Sequence, residues 1–263
     1  MNNLIDIGIN LLHPSFKKDK KEVIENGQKE GVKQFIITGT NVESSQIASN
    51  YASKFPGVLY STSGVHPHDA KSCDENTISK LEEISNLGSV VAIGECGLDY
   101  NRNYSPQNIQ RKWFEKQIEL AEKVNMPLFL HERDAPEDMY KILQEHPKIA
   151  KKSVLHCFTG TKKEAENYIE LGCFIGITGW ICDMKRGKSL QEAVQVIPPE
   201  KMMIETDAPF LIPKNLDKKP KKNRNEPKYL PHILNTIAFY KDNYNSEKLA
   251  KEVTKTTKNF FNI

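Results

Sequence analysis

Short runs of hydrophobic, often β-branched residues recur along the chain, separated by longer polar segments. Continuous apolar runs of this length are typical of parallel strands that are buried on both faces. The pattern predicts eight strands: Leu4–Ile9, Gln34–Gly39, Val58–Val65, Val90–Gly97, Pro127–Glu132, Ser153–Phe158, Cys173–Thr178 and Met202–Asp207.

The segments between these runs carry apolar residues at helical spacing. Ser105 and Pro106 predict the N-cap and first residue of a helix that continues to Val124. Thr161 and Glu164 predict a capping box at the start of another helix. The same spacing predicts helices over Phe16–Glu30, Glu43–Lys54, Thr77–Leu87, Glu137–Glu145, Leu190–Ile197 and Leu230–Tyr240, and an amphipathic helix over Glu247–Phe261 that packs across the outside.

Eight β/α units of about 30 residues predict an α/β fold, a (β/α)₈ TIM barrel in a single domain over residues 1–263, with an extra C-terminal helix. A doubly wound open sheet is the alternative, since it is built from the same alternation. No G-x-G-x-x-G motif follows the first strand, which weakens the dinucleotide-binding version of that alternative.

Composition narrows the class of protein. Hydrophobic residues make up 38% of the chain and charged residues 27%, which predicts a packed core and excludes wholesale disorder. The sequence has no apolar run near the roughly 20 residues of a bilayer span, and no basic segment typical of a signal peptide begins it. Five scattered cysteines favour a reducing compartment, the cytoplasm or a nucleus. Nothing indicates an obligate protein partner.

Polar residues stand at the carboxyl ends of the predicted strands. In a barrel these ends converge on one mouth. Burying several ionisable groups there is costly unless a cation pairs with them, so the pattern predicts a site for one or two divalent metals. The residues are Asp6, His66, Glu95, His131, His156 and Asp207.

Six segments also carry a resemblance to a known family. They resemble, in order, the signature segments of the TatD family of metal-dependent deoxyribonucleases, which are amidohydrolase-like TIM barrels. The resemblance implies hydrolysis of phosphodiester bonds in single-stranded or frayed DNA, from the 3′ end. The segments are GVHPHDA, IGECGLDY, PLFLHERDA, VLHCFTG, GITGWICD and ETDAPFLIP, and the match extends to RNEP at Arg224–Pro227.

Residue roles follow from the same resemblance. It implies that Glu95, His131, His156 and Asp207 ligate metal, and that Glu95 can bridge two ions. His66 would line the site near the substrate phosphate, and we expect Asp207 to accept the proton of the attacking water. Asp207, Glu95 and His66 are therefore the predicted catalytic residues.

The first strand departs from the family pattern. Many members carry H-x-H where this chain has Gly8 and Asn10. Without two imidazoles, one metal position would keep Asn10 and Glu95 as oxygen donors. Oxygen donors suit Mg²⁺ best, then Mn²⁺, and Zn²⁺ less well. We expect one firmly held ion and one weak, substrate-dependent ion.

Basic and aromatic residues near the predicted mouth are candidates for DNA binding. Segment Lys214–Arg224 has six basic residues and one acidic residue, and holds the whole positive excess of the chain. Such a loop contacts phosphates or is simply solvated. The predicted substrate-binding residues are His66, Arg133, Trp180, Lys222, Arg224 and Asn225, with Tyr100 as a further stacking candidate; Trp180 and Tyr100 could instead belong to the core.

Two other functions remain open at the level of sequence. Metal-activated water also attacks carbonyl carbon, so the same site could deacylate D-aminoacyl-tRNA, as TatD-like proteins do, or hydrolyse another ester or amide. A non-catalytic nucleic-acid-binding barrel is the second alternative, although it would not need the complete set of acids and imidazoles.

Overall fold

A computed structural model describes residues 3–220 and 222–263. Met1, Asn2 and Lys221, one of the six basic residues of Lys214–Arg224, lie outside the described residues. All eight predicted strands form, in one parallel sheet that follows chain order. They are β1 (Leu4–Ile9), β2 (Val32–Ile37), β3 (Leu59–Ser63), β4 (Val90–Asp99), β5 (Leu128–Arg133), β6 (Ser153–Leu155), β7 (Phe174–Ile177) and β8 (Met202–Ile204).

The last strand returns to the first and closes the sheet. Ile9 and Ala208 form a parallel bridge. The Asn10 amide donates to the Ala208 carbonyl at 2.8 Å, and the Asp207 amide donates to the Gly8 carbonyl at 2.9 Å. In an open doubly wound sheet these chain segments would not pair in this way, so the TIM-barrel prediction is confirmed.

Helices follow the strands around the barrel. They are α1 (Lys20–Lys29), α2 (Val42–Ala52), α3 (Thr77–Ser85), α4 (Gln107–Val124), α5 (Pro136–Glu145), α6 (Pro147–Ala150), α7 (Lys162–Glu170), α8 (Lys188–Ala193), α9 (Leu230–Tyr240) and α10 (Ser246–Phe261). The short helix α6 was not predicted. None of the helices in the described part of the chain is long and apolar enough to cross a membrane.

The two predicted helix starts differ in outcome. The Thr161–Glu164 capping box is confirmed, with both reciprocal bonds present at the start of α7. Ser105 is not an N-cap, because α4 begins at Gln107 and its cap residue is Pro106. The Ser105 hydroxyl instead donates to the His68 carbonyl at 2.9 Å and tethers the loop after β3.

Helix α10 closes the amino-terminal end of the barrel rather than packing only across the outside. Its buried residues include Leu249, Val253, Thr257 and Phe261, spaced by four residues. Leu249 and Val253 join the core layer between strands and helices. Phe261 packs with residues inside the barrel, including Ile5, Ile7 and Phe129. The opposite, carboxyl end is left as the mouth.

Candidate metal centre at the barrel mouth

Glu95 lies at the centre of a cluster of three imidazoles. Its Oε1 atom is 2.7 Å from His156 Nε2, 2.9 Å from His131 Nδ1 and 3.3 Å from His66 Nε2. The four residues lie in or just after β3 to β6, so convergence of consecutive strand ends brings them together. Glu95 and His156 are buried.

Burial and the charges within the cluster shift the pKa values of its members. Burial alone would raise the pKa of Glu95, but the His156 and His66 imidazoles outweigh it and hold that pKa well below its usual value. Burial would lower the pKa of His156, yet the Glu95 and Glu205 carboxylates raise it well above the ordinary imidazole value. Burial lowers the pKa of His66 despite the nearby Glu95 carboxylate.

Asp207 and Asn10 form a pair beside this cluster. Asn10 Nδ2 donates to Asp207 Oδ1 at 2.8 Å. Burial, together with the negative charges of Glu205 and Glu95, raises the pKa of Asp207 to about 7. Asp207 can therefore both accept and release a proton near neutral pH.

Asp99 is a site residue that the sequence reasoning missed. Its Oδ2 atom is 2.7 Å from His68 Nε2 and 3.3 Å from His131 Nε2. His131 is thus held between two carboxylates, because its Nδ1 atom faces Glu95. Such a carboxylate behind a histidine fixes the ring orientation of a metal ligand. Asp99 lies four residues after Glu95 on the same strand, and this acidic residue at the strand end could have indicated it.

Glu205 was missed as well, and it occupies the space beside Gly8. A Cβ atom at Gly8 would lie 2.3 Å from Glu205 Oε2. Glu205 accepts a hydrogen bond from the Cys157 amide, and its Oε2 atom is 3.4 Å from His156 Nδ1. The space that a side chain at position 8 would take is therefore filled by a buried carboxylate that faces His156. Glu205 lies two residues before Asp207 in the sequence, and this spacing could have indicated its place at the site.

The donor set fits a divalent ion. One ligand atom from each of His66, Glu95 and His131 can be chosen so that all lie within 4.8 Å of one another. Ligands about 2.1 Å from a common ion stand roughly 3 Å apart, which matches the Glu95–imidazole distances. This group includes His66, which the sequence placed near the phosphate, and it does not include His156 or Asp207, which the resemblance implied as ligands.

A family model described as TatD related DNase matches residues 5–262. The chain belongs to the TatD family. Two relatives in this family are named 3′-5′ ssDNA/RNA exonuclease TatD. The protein from Pantoea sp. is 42% identical over 261 residues, covering 99% of this chain and 100% of the relative. The protein from Rahnella sp. is 43% identical over 238 residues, covering 90% of each.

Solved structures agree with the barrel. A TatD homologue from Escherichia coli K12 has a TM-score of 0.89 at 22% identity, covering 99% of this chain and 98% of that one. A TatD family hydrolase from Entamoeba histolytica has a TM-score of 0.85 at 25% identity, with the same two coverages. As a member of the TatD family, the protein is an enzyme of the hydrolase class.

Two residues expected to bind substrate have structural roles in this TatD protein. The Arg224 guanidinium is buried, donates to Asp19 and Glu226, and stacks on Phe16 with its carbon 4.6 Å from the ring centroid. Asn225 is fully buried and donates to the Thr206 carbonyl at 2.8 Å. Neither side chain is available to phosphate, because the segment folds back onto the barrel wall.

The other basic candidates differ in their surroundings. Lys222 is exposed but forms an ion pair with Asp19, the same carboxylate that binds Arg224. Arg133 is exposed at the end of β5, two residues after His131. Within residues 3–220 and 222–263, Arg133 makes no salt bridge. Of Lys222 and Arg133, Arg133 is therefore the better placed to contact a phosphate.

The two aromatic candidates, Trp180 and Tyr100, already contact other side chains of the protein. The Arg186 guanidinium lies 4.5 Å from the Trp180 ring centroid and covers one face of the indole. The Tyr100 hydroxyl donates to Asp138 at 2.6 Å and accepts from Arg111 at 2.9 Å. These contacts favour structural roles for both rings.

Proposed function

We propose that this protein is a metal-dependent 3′-5′ exonuclease that hydrolyses phosphodiester bonds in single-stranded DNA. The observation that carries the proposal is the cluster of Glu95 with three imidazoles and the neighbouring Asp207 at the barrel mouth. It is supported by relatives named as exonucleases of single-stranded DNA and RNA over nearly the whole chain.

Each residue has a proposed part in the reaction. Glu95, His131, His156 and His66 would hold the ion, while Asp99 and Glu205 orient two of the imidazoles from behind. Asp207 takes the proton of the attacking water, because its pKa of about 7 suits a general base. Arg133 would contact a phosphate oxygen. A bound divalent ion supplies charge neutralisation and lowers the pKa of water.

We propose Mn²⁺ and Mg²⁺ as the activating ions. The donor set mixes a carboxylate with imidazoles, and imidazole is a poor ligand for Mg²⁺. We therefore expect stronger activation by Mn²⁺ than by Mg²⁺. The sequence alone had favoured Mg²⁺ over Mn²⁺. Two tightly held zinc ions in the isolated enzyme would contradict this assignment.

The decisive experiment uses one oligonucleotide labelled at its 3′ end or its 5′ end. In Mn²⁺ or Mg²⁺, we expect a ladder of shortening products from the 5′-labelled strand and early release of the 3′ label. EDTA should abolish both. A parallel incubation with D-aminoacyl-tRNA tests the deacylase alternative. Metal-dependent loss of the aminoacyl group without oligonucleotide cleavage would overturn the nuclease proposal, and salt-sensitive binding without any product would favour the non-catalytic barrel.

A further inference from the structure

Two large aromatic side chains are exposed at the barrel mouth. Tyr104 is 55% exposed in the loop between β4 and α4, and Phe210 is 48% exposed in the segment after β8. An apolar ring is usually buried, since exposure forgoes its hydrophobic stabilisation. Neither residue was singled out from the sequence.

Both rings adjoin residues of the metal centre. The Tyr104 ring centroid is 4.7 Å from that of His68, which is itself 4.3 Å from His66. The Phe210 amide donates to the Asp207 carbonyl at 2.9 Å. The two rings therefore border the site on the side of His66 and on the side of Asp207.

Their positions in the barrel place them on opposite sides of the mouth. The eight strands follow chain order around a closed sheet, so β4 and β8 are diametrically opposed. Tyr104 follows β4 and Phe210 follows β8. The Glu95 cluster lies at the ends of β3 to β6, at this same mouth.

The rings also have open faces. Tyr104 meets His68 at an interplanar angle of 70°, and Phe210 meets His13 at 77°. An edge-to-face contact covers at most one face of a ring, so the other face remains available. Trp180 differs, because its side chain is only partly exposed and the Arg186 guanidinium lies over one of its faces, 4.5 Å from the ring centroid.

We propose that Tyr104 and Phe210 stack on the two nucleobases that flank the phosphate held at the metal centre. This inference rests on the proposed nuclease function. Every base has a π face, so such stacking accepts any sequence, in DNA and RNA alike. A duplex keeps its bases stacked on one another, which makes the two rings a filter for single-stranded ends.

The test measures equilibrium binding and steady-state kinetics with a short fluorescent single strand. Tyr104→Ala and Phe210→Ala should each weaken binding and raise KM about 5- to 100-fold, with a smaller change in kcat. Tyr104→Phe and Phe210→Tyr keep a stacking ring and should behave like the wild type. Phe239→Ala, at a ring that is 81% exposed on α9, is the matched control and should have no effect.

A strand with an abasic residue beside the cleaved bond supplies a second readout. The variant that removes the matching ring should then cause no further loss, since there is no base to stack. Cleavage by the wild type with unchanged KM and Kd in both alanine variants would overturn the stacking inference while leaving the nuclease proposal intact. If the wild type does not cleave the strand, its affinity for the strand is compared with that of the double alanine variant. Equal affinities, or no binding by either protein, would overturn the stacking inference.

Discussion

Asp207 shows how one residue acquires its chemistry from its surroundings. Burial and the neighbouring Glu205 and Glu95 carboxylates raise its pKa to about 7, while Asn10 donates a hydrogen bond to its Oδ1 atom. An exposed aspartate would be ionised throughout the neutral range and would be a weaker base. The environment therefore poises Asp207 for proton transfer.

Asp207→Asn should lower kcat by about 10²- to 10⁴-fold with little loss of folding stability, because the amide cannot accept the proton of the water. In the wild type, activity should fall as the pH drops through 7 or somewhat lower, since Asp207 must be ionised and a bound cation favours that form. Rates on labelled single strands between pH 5 and 9 check both points. Asp217→Asn, at an exposed residue, is the control; near-wild-type turnover by Asp207→Asn would exclude its role as base.

At the level of elements, helix α4 positions the ends of two strands. Gln117 accepts from the Val65 amide at 2.7 Å and donates to the Val65 carbonyl at 3.1 Å, next to His66. Gln110 accepts from the Asp99 amide at 2.8 Å and donates to its carbonyl at 3.0 Å. Gln117 lies on the buried face of α4, and its side-chain amide holds the loop after β3 in place.

Gln117→Leu should destabilise the fold by about 2–4 kcal/mol, because it leaves the buried Val65 amide and carbonyl without partners. The shift of His66 should also weaken metal binding. Urea denaturation and metal titration measure the two effects. Gln107→Leu makes the same change at an exposed site of α4 and should alter stability by less than about 0.5 kcal/mol. Equal stability of the two variants would show that the clamp is dispensable.

At the scale of the whole molecule, the metal centre exists only in the folded barrel. Its donors come from four strand ends that are far apart in sequence. The unfolded chain cannot present them together, so an ion that binds this cluster must stabilise the native state. Its affinity should fall at acid pH, where protons compete for the imidazoles.

Saturating Mn²⁺ should therefore raise the melting temperature by about 5–10 °C over the same protein in EDTA, if the ion is present at 100 times its Kd. Differential scanning calorimetry measures the shift. Glu95→Gln removes the central carboxylate and should abolish most of it. The same shift in Glu95→Gln would mean that the stabilising ion binds outside this cluster.

Much of the site was predictable because barrel topology converts strand ends into neighbours. His66, Glu95, His131 and His156 each follow or end an apolar run, and the structure brings them together. Asp99 and Glu205 were missed because the sequence does not show that each carboxylate faces an imidazole of another strand end, His131 and His156 respectively. Arg224 was misassigned because a basic segment does not show which arginine pairs with a distant carboxylate such as Asp19.

The sequence by itself determined the alternation of strands and helices, their order and the strand ends that carry acids and imidazoles, since these depend on local periodicity. Only the tertiary structure decided which polar groups are paired within the fold and which are available for catalysis or substrate binding. Arg224 and Asn225 became internal supports, Glu205 took the space beside Gly8, and Tyr104 and Phe210 stayed exposed at the mouth. The physical reason is that burial, pairing and pKa depend on neighbours in space, which chain order does not specify.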